Sequence, residues 1–207
     1  MKRQIIRQFI DQMEWITPDN ASYLIDGDFS PTLYRKWQKT LEVMTFTQNK
    51  DKALRKVKNT GGSVAYTLYR SKRNGLPYNN YWHDRRLRNC MAKFIHTNGN
   101  HDLDLNTYAD TQAGSLYFEF DSGSETTELI DKIKRYYCGQ GVCRAIFFMA
   151  HRDNIERLEK NRLDYLFDIV AKLLRHKPNR VLANTYTSYL KTGKLYNFRR
   201  EEKSPTP

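Results

Sequence analysis

The residues best placed to do chemistry are acidic. Residues 115–121, SLYFEFD, alternate in character. As a strand they send Leu116, Phe118 and Phe120 to one face and Tyr117, Glu119 and Asp121 to the other. At a rise of ~3.3 Å per residue, Glu119 and Asp121 stand about 7 Å apart on that face. Asp110 ends the preceding segment, with Gly114 available for a tight turn between the two. Ser122-Gly123-Ser124 breaks the strand, and Ser124 suits the N-cap of a helix running to Tyr136 that carries Lys132 and Lys134. Three acids with a lysine can hold a hard divalent cation, Mg²⁺ or Mn²⁺, together with phosphate oxygens. Such a metal activates water and neutralises a phosphoryl group, and Lys132 would assist. The plainer alternative is a solvated acidic sheet face beside a charged helix.

These groups need a scaffold, and the order of elements around them supplies one. Residues 79–96 read as a helix with Leu87, Cys90, Met91 and Phe94 inward and His83 near its start. After the strand–turn–strand–helix unit at 108–137 comes a continuous apolar strand at 143–151, CRAIFFMAH, of the kind covered on both faces. A helix from 155 to about 175 and a last strand with a short helical turn at 180–190 follow. Helix, strand, strand, helix, strand, helix, strand makes a small α/β sandwich.

The N-terminal part reads differently. Residues 2–14 are an amphipathic helix bearing Ile5, Ile6, Phe9, Ile10 and Met13 on one side. Thr17-Pro18 and Ser30-Pro31 are both helix starts, cap then proline. The second helix stops at Asp26-Gly27-Asp28. The third runs to about Met44 with Leu33, Trp37, Leu41 and Met44 inward, leaving Tyr34, Arg35, Lys36, Gln38 and Lys39 outside. Three short helices with a basic third suggest a helix-turn-helix, whose later helix enters the major groove. Residues 43–47 and 63–70 are expected as strands, which makes the motif a winged one. The basic insertion between them is expected to hold a helical turn at 51–58. Its Lys52, Arg55, Lys56 and Lys58 would either grip phosphates beside the third helix or belong to the recognition helix itself. Residues 71–77, SKRNGLP, form the linker.

The block FEFDSGSETTELIDKIKRYY resembles the most recognisable segment of the replication-relaxation family of plasmid and mobile-element proteins. Glu119, Asp121, Gly123, Glu125, Leu129, Lys132 and Tyr136 carry the resemblance. It implies an α+β / α/β protein: an N-terminal winged helix over 1–72 and a restriction-endonuclease-like PD-(D/E)XK domain over 77–198, while the polar, Pro-ending composition of 199–207 reads as a disordered tail. Asp110 then stands at the first motif of that fold, preceded by Ala109 in place of proline. Asp121 stands where the fold has a lysine, so the lysine would come from Lys132. Two functions follow. One is a DNA-binding protein of a plasmid, phage or integrated element that nicks DNA, with Asp110, Glu119 and Asp121 as metal ligands, Lys132 catalytic, and Mg²⁺ or Mn²⁺ as cofactor. The other is a non-catalytic initiator, accessory protein or repressor whose nuclease-like part dimerises or clamps DNA. Replication or relaxosome proteins are the partners the resemblance implies, and paired half-sites would imply a homodimer.

Composition narrows the partner. The 207 residues carry 35 Lys and Arg against 23 Asp and Glu, a net charge of +12. That excess favours a polyanion, most simply double-stranded DNA. Lys and Arg outnumber Asp and Glu by 14 to 7 up to residue 75 and by 21 to 16 after it, so both halves contribute. No apolar run reaches the length of a membrane span, and no partner membrane is expected. The charged start has no signal-peptide core. Cys90, Cys138 and Cys143 form no CxxC pair, which fits a reducing bacterial cytoplasm rather than a disulfide framework.

Overall fold

The first helices begin and end where the sequence supplies caps. In the computed structural model, α1 spans Lys2–Met13 and buries Ile6, Phe9, Ile10 and Met13. Helix α2, Pro18–Asp26, opens on Thr17: Thr17 N–H donates to Asn20 Oδ1 at 2.9 Å, and Asn20 N–H points back at Thr17 Oγ1. Gly27 ends it in the left-handed region, φ 72, its N–H donating to Tyr23 O. Helix α3, Pro31–Thr45, starts with Leu33 N–H donating to Ser30 Oγ at 3.2 Å and buries Trp37, Leu41 and Met44, while Leu33 is half-buried.

Strands β1 (Trp15–Ile16), β2 (Arg55–Gly61) and β3 (Val64–Arg70) form an antiparallel sheet in the order β1-β3-β2. Trp15 and Arg55 both register with Arg70, and Gly61 pairs with Val64 at the hairpin end. Two expectations are corrected here. Residues 43–45 are the last turn of α3, not a strand, and residues 55–58 are strand, not a helical turn. Met44 completes the buried stripe begun by Trp37 and Leu41, and that packing overrides the strand preference of Val43 and Thr45. Leu54 N–H then donates to Met44 O at 3.0 Å, taking the chain straight from helix into strand.

Helix α4, Tyr81–Asn98, follows. A second sheet runs in chain order: β4 (Leu105–Asn106), β5 (Thr111–Ala113), β6 (Leu116–Asp121), β7 (Arg144–Met149), β8 (Val181–Thr185) and β9 (Tyr196–Asn197). Strands β4, β5 and β6 are antiparallel, β6, β7 and β8 parallel, and β9 antiparallel to β8. Helix α5, Tyr186–Thr192, leaves directly from β8. The protein is thus α+β. The structure describes residues 1–48, 53–61, 64–71, 81–99, 105–106, 111–113, 116–121, 144–149 and 181–197; in 59–61, 64–66, 81–83, 196–197 and the strands between 105 and 185 other than at Phe120, only the backbone is described. The linker expected at 71–77 lies beyond Ser71 outside the described residues, as do the helices expected at 124–136 and 155–175 and the tail at 199–207.

One apolar core joins both sheets. Leu87, Cys90, Met91 and Phe94 of α4 point inward as the sequence predicts. They pack with α1, α2 and α3, with Phe120 of β6, and with Tyr189 and Leu190 of α5. A buried polar network binds α4 to α2. Asp19 Oδ2 accepts from Arg85 Nε at 2.9 Å and from Asn89 Nδ2 at 3.0 Å. Asn89 Oδ1 accepts from Asn20 Nδ2 at 2.6 Å, and Asn89 Nδ2 also reaches Tyr186 OH at 2.8 Å. Arg88 donates to Met13 O and lies 4.0 Å from the Trp15 ring centroid.

Gly27 belongs to this contact. Lys93 Nζ donates to its carbonyl, and a Cβ at Gly27 would run into the His96 ring. Gly27→Ala combines that clash with a left-handed backbone, so thermal denaturation is expected to show a loss of about 1–3 kcal/mol.

The buried tyrosines set an alkaline limit. Burial, then the Asp19 and Asp28 carboxylates, push the Tyr23 hydroxyl up to about 12. Burial also raises Tyr69, Tyr186 and Tyr189, with Glu42 adding to the effect at Tyr69. A tyrosine whose folded pKa exceeds its unfolded value gives its full stabilisation below the unfolded value, near 10, and loses it as pH rises through the folded one. Phenolate absorbance should therefore show these four of the 14 tyrosines ionising late, in step with unfolding above about pH 10.

Candidate nucleic-acid interface

The outward stripe of α3 falls at 32, 35, 36, 39, 43 and 46, the complement of its buried stripe. Arg35, Lys36 and Lys39 are all exposed there. Tyr34 is half-buried and closes an aromatic row: its ring meets Phe29 edge-on at 6.3 Å, and Phe29 stacks on Tyr23 at 6.2 Å. Lys36 is tethered. Its Nζ lies 3.0 Å from Asp26 Oδ1 and 4.8 Å from the Trp37 ring centroid, while Trp37 Nε1 donates to the same carboxylate.

Strand β2 runs back along α3. Leu54 meets Met44, and two residues on Lys56 Nζ meets Glu42 Oε1 at 2.5 Å. The hydrogen bond from Lys56 holds the Glu42 carboxyl below its ordinary range. Lys58, two residues on, is exposed on the same face of β2 as Lys56. Arg55 is different: side chains alternate along β2, so Arg55, in register with Arg70, lies on the sheet face opposite Lys56 and Lys58.

The structure thus sets Arg35, Lys36 and Lys39 on one stripe of α3, ties Lys56 to that helix through Glu42, leaves Lys58 on the Lys56 face of β2 and sets Arg55 on the other face. Lys52 lies outside the described residues. Among the described residues, Arg35, Lys39 and Lys58 make no ion pair, whereas Lys36 and Lys56 are each held by a carboxylate. These pairings were not visible in the sequence, because Asp26 and Glu42 precede their lysines by 10 and 14 residues. The Asp19–Arg85–Asn89 network was also missed; its one sequence signal is that Arg85 and Asn89 share a helix face four residues apart.

For the acidic unit the backbone alone is described. Strands β5 and β6 pair there, with Thr111 opposite Phe118 and Ala113 opposite Leu116; β5 begins one residue after Asp110, the residue expected to end the first segment, and the expected turn at Gly114 lies outside the described residues. Glu119 and Asp121 register with Phe147 and Met149 of β7. Phe120 between them is buried, its ring edge-on to Tyr186 at 5.8 Å. Asp110 and Lys132 lie outside the described residues, as do Cys138, Cys143 and His151. Among the described residues no three His, Cys, Asp or Glu side chains gather as a metal site, and no helix is long and apolar enough to cross a membrane. No protein-family model, curated protein or solved structure matches this chain.

Proposed function

We propose that residues 1–71 form a winged helix that binds double-stranded DNA, with α3 in the major groove and the β2–β3 hairpin against the adjoining backbone. The order helix, strand, helix, helix, strand, strand, with the sheet arranged β1-β3-β2, supports this reading. The observation that carries it is the outward stripe of α3, where Arg35 and Lys39 stand exposed and make no ion pair among the described residues. Cations so placed neutralise phosphates and release counterions. The test is anisotropy of a labelled duplex titrated with the protein across a salt series. Affinity should fall steeply and linearly in log salt; absence of binding at about 50 mM salt would refute the reading.

A second reading concerns the other sheet, and the placement of two acids on β6 favours it. Glu119 and Asp121 close the carboxyl end of a strand paired on both sides, level with the end of parallel β7, where sheets with parallel strands commonly present functional groups. This suits a nuclease-like domain in a protein similar to the replication-relaxation family. Asp110, Glu119 and Asp121 would hold Mg²⁺ or Mn²⁺, which when bound supplies an activated water and charge neutralisation at phosphate. Lys132 would steady that charge. Incubation of supercoiled plasmid with either metal separates the outcomes. Nicking lost in Glu119→Gln supports an enzyme; no nicking by folded, DNA-bound protein leaves the domain as a scaffold that dimerises or clamps DNA.

A further inference from the structure

The outward stripe of α3 changes character along its length. Its first half is cationic, with Arg35, Lys36 and Lys39. Its second half is apolar, with Val43 55% and Phe46 84% exposed. Phe46 N–H donates to Val43 O at 3.1 Å, so the two residues lie one turn apart at the end of the helix. Among the described residues, the other large apolar side chains so exposed are Met1 and Phe29, and neither is on this stripe. Among the described residues the buried stripe of α3 is complete without them, with Trp37, Leu41 and Met44.

We propose that Val43 and Phe46 are specificity determinants that read thymine methyl groups, so that the bound duplex carries A·T pairs at the end of the groove segment facing the C-terminus of α3. The inference rests on the reading of α3 as the duplex-facing helix and adds what that helix selects. The thymine C5-methyl is the apolar feature of the major-groove edge, and apolar side chains are its natural contact. From Arg35 to Val43 is eight residues, ~12 Å along the helix, and from Val43 to Phe46 a further ~4.5 Å. At ~3.4 Å per base pair, Arg35 and Lys39 cover one end of a segment of about four or five pairs, and Val43 and Phe46 the other. A second copy of this chain is a poor occupant. Two copies packed antiparallel about a two-fold axis would set each apolar end against the other copy's cations or leave those cations uncompensated, whereas a polyanion meets the cations and the apolar end together.

The test uses the full chain. Duplexes are selected from a random pool, and the thymines of the best one are replaced by uracil one at a time, which removes the methyl and leaves base pairing intact. One or two adjacent thymines should each be worth about fourfold in affinity to the native protein, the value of one buried methyl group. Val43→Ser and Phe46→Ser should each lose the uracil penalty at the thymine that side chain reads and keep the native salt slope. Both side chains are exposed, so neither change opens a cavity, and circular dichroism checks the fold. Equal binding of the thymine and uracil duplexes by the native protein overturns the proposal while the DNA-binding reading stands. So does a uracil penalty that persists in both variants. Self-association abolished by either variant, with no thymine preference, assigns the patch to a second copy and overturns it too. Absence of duplex binding removes both readings.

Discussion

Replacing Arg35 and Lys39 together by alanine should weaken duplex binding about 30-fold near physiological salt and reduce the salt slope by about 1.8. The figure follows from two phosphate contacts, each releasing ~0.9 counterion. Both side chains are exposed and without ion-pair partners among the described residues, so their removal should change stability by less than about 0.5 kcal/mol. The contrast with their neighbours makes the test specific. Lys36 and Lys56 already face Asp26 and Glu42, and a phosphate must compete with those carboxylates. Lys36→Ala and Lys56→Ala should therefore cost about threefold or less each. Glu42→Gln should strengthen binding, because it frees Lys56 and removes a negative charge beside the groove. If total charge alone governed affinity, the four cations would be equivalent. An unchanged slope in the double variant would take α3 off the phosphates.

How far the sequence foretold this surface depends on the range of the interactions involved. Thr17-Pro18, Gly27 and Ser30-Pro31 act within four residues, and the helix limits they imply are those found. The stripe of Arg35, Lys36 and Lys39 was legible for the same reason: helical spacing is local. The junction after α3 was not. Val43, Thr45 and Thr47 carry a strand's composition, yet Met44 is buried on the helix stripe, and packing against α2 and β2 decides the matter. The basic run after it looked helical because charges obscure period 2. Its alternation becomes visible once Val57 is seen packed toward Trp15 and Leu68 on one face while Lys56 meets Glu42 on the other. The partners that set the worth of each cation were hidden because they come from different elements. In the acidic unit, β6 was legible from alternation, while Asp110, Gly114 and Lys132 fall outside the described residues.

Asp19→Ala should be the most damaging single change, lowering stability by about 3–5 kcal/mol and the melting temperature by about 6–20 °C. The Asp19 side chain is 4% exposed and joins two α4 residues, Arg85 and Asn89, to the first turn of α2. Without it, Arg85 loses this ion pair and one donor of the buried Asn89 amide loses its acceptor, and an unsatisfied buried donor costs more than the bond itself contributed. Arg85→Ala should cost less, because that side chain is 26% exposed and what remains of Asp19 keeps the Asn89 donor. Asn89→Ala removes the link to Asn20, Asp19 and Tyr186 at once. In a double-mutant cycle Asp19 and Asn89 should thus be non-additive by about 0.5–3 kcal/mol. The consequence reaches the DNA surface. α3 packs on α2, and α2 is held on α4 by this network, so an α2 freed from α4 no longer fixes the angle at which Arg35 and Lys39 meet a duplex. Asp19→Ala, below its melting temperature, should bind DNA more weakly than native protein with an unchanged salt slope, because the cations remain and only their placement is lost. Stability within about 1 kcal/mol of native would show that apolar packing alone seats α2 on α4. Lost stability with full DNA affinity would show instead that the N-terminal unit orients α3 by itself.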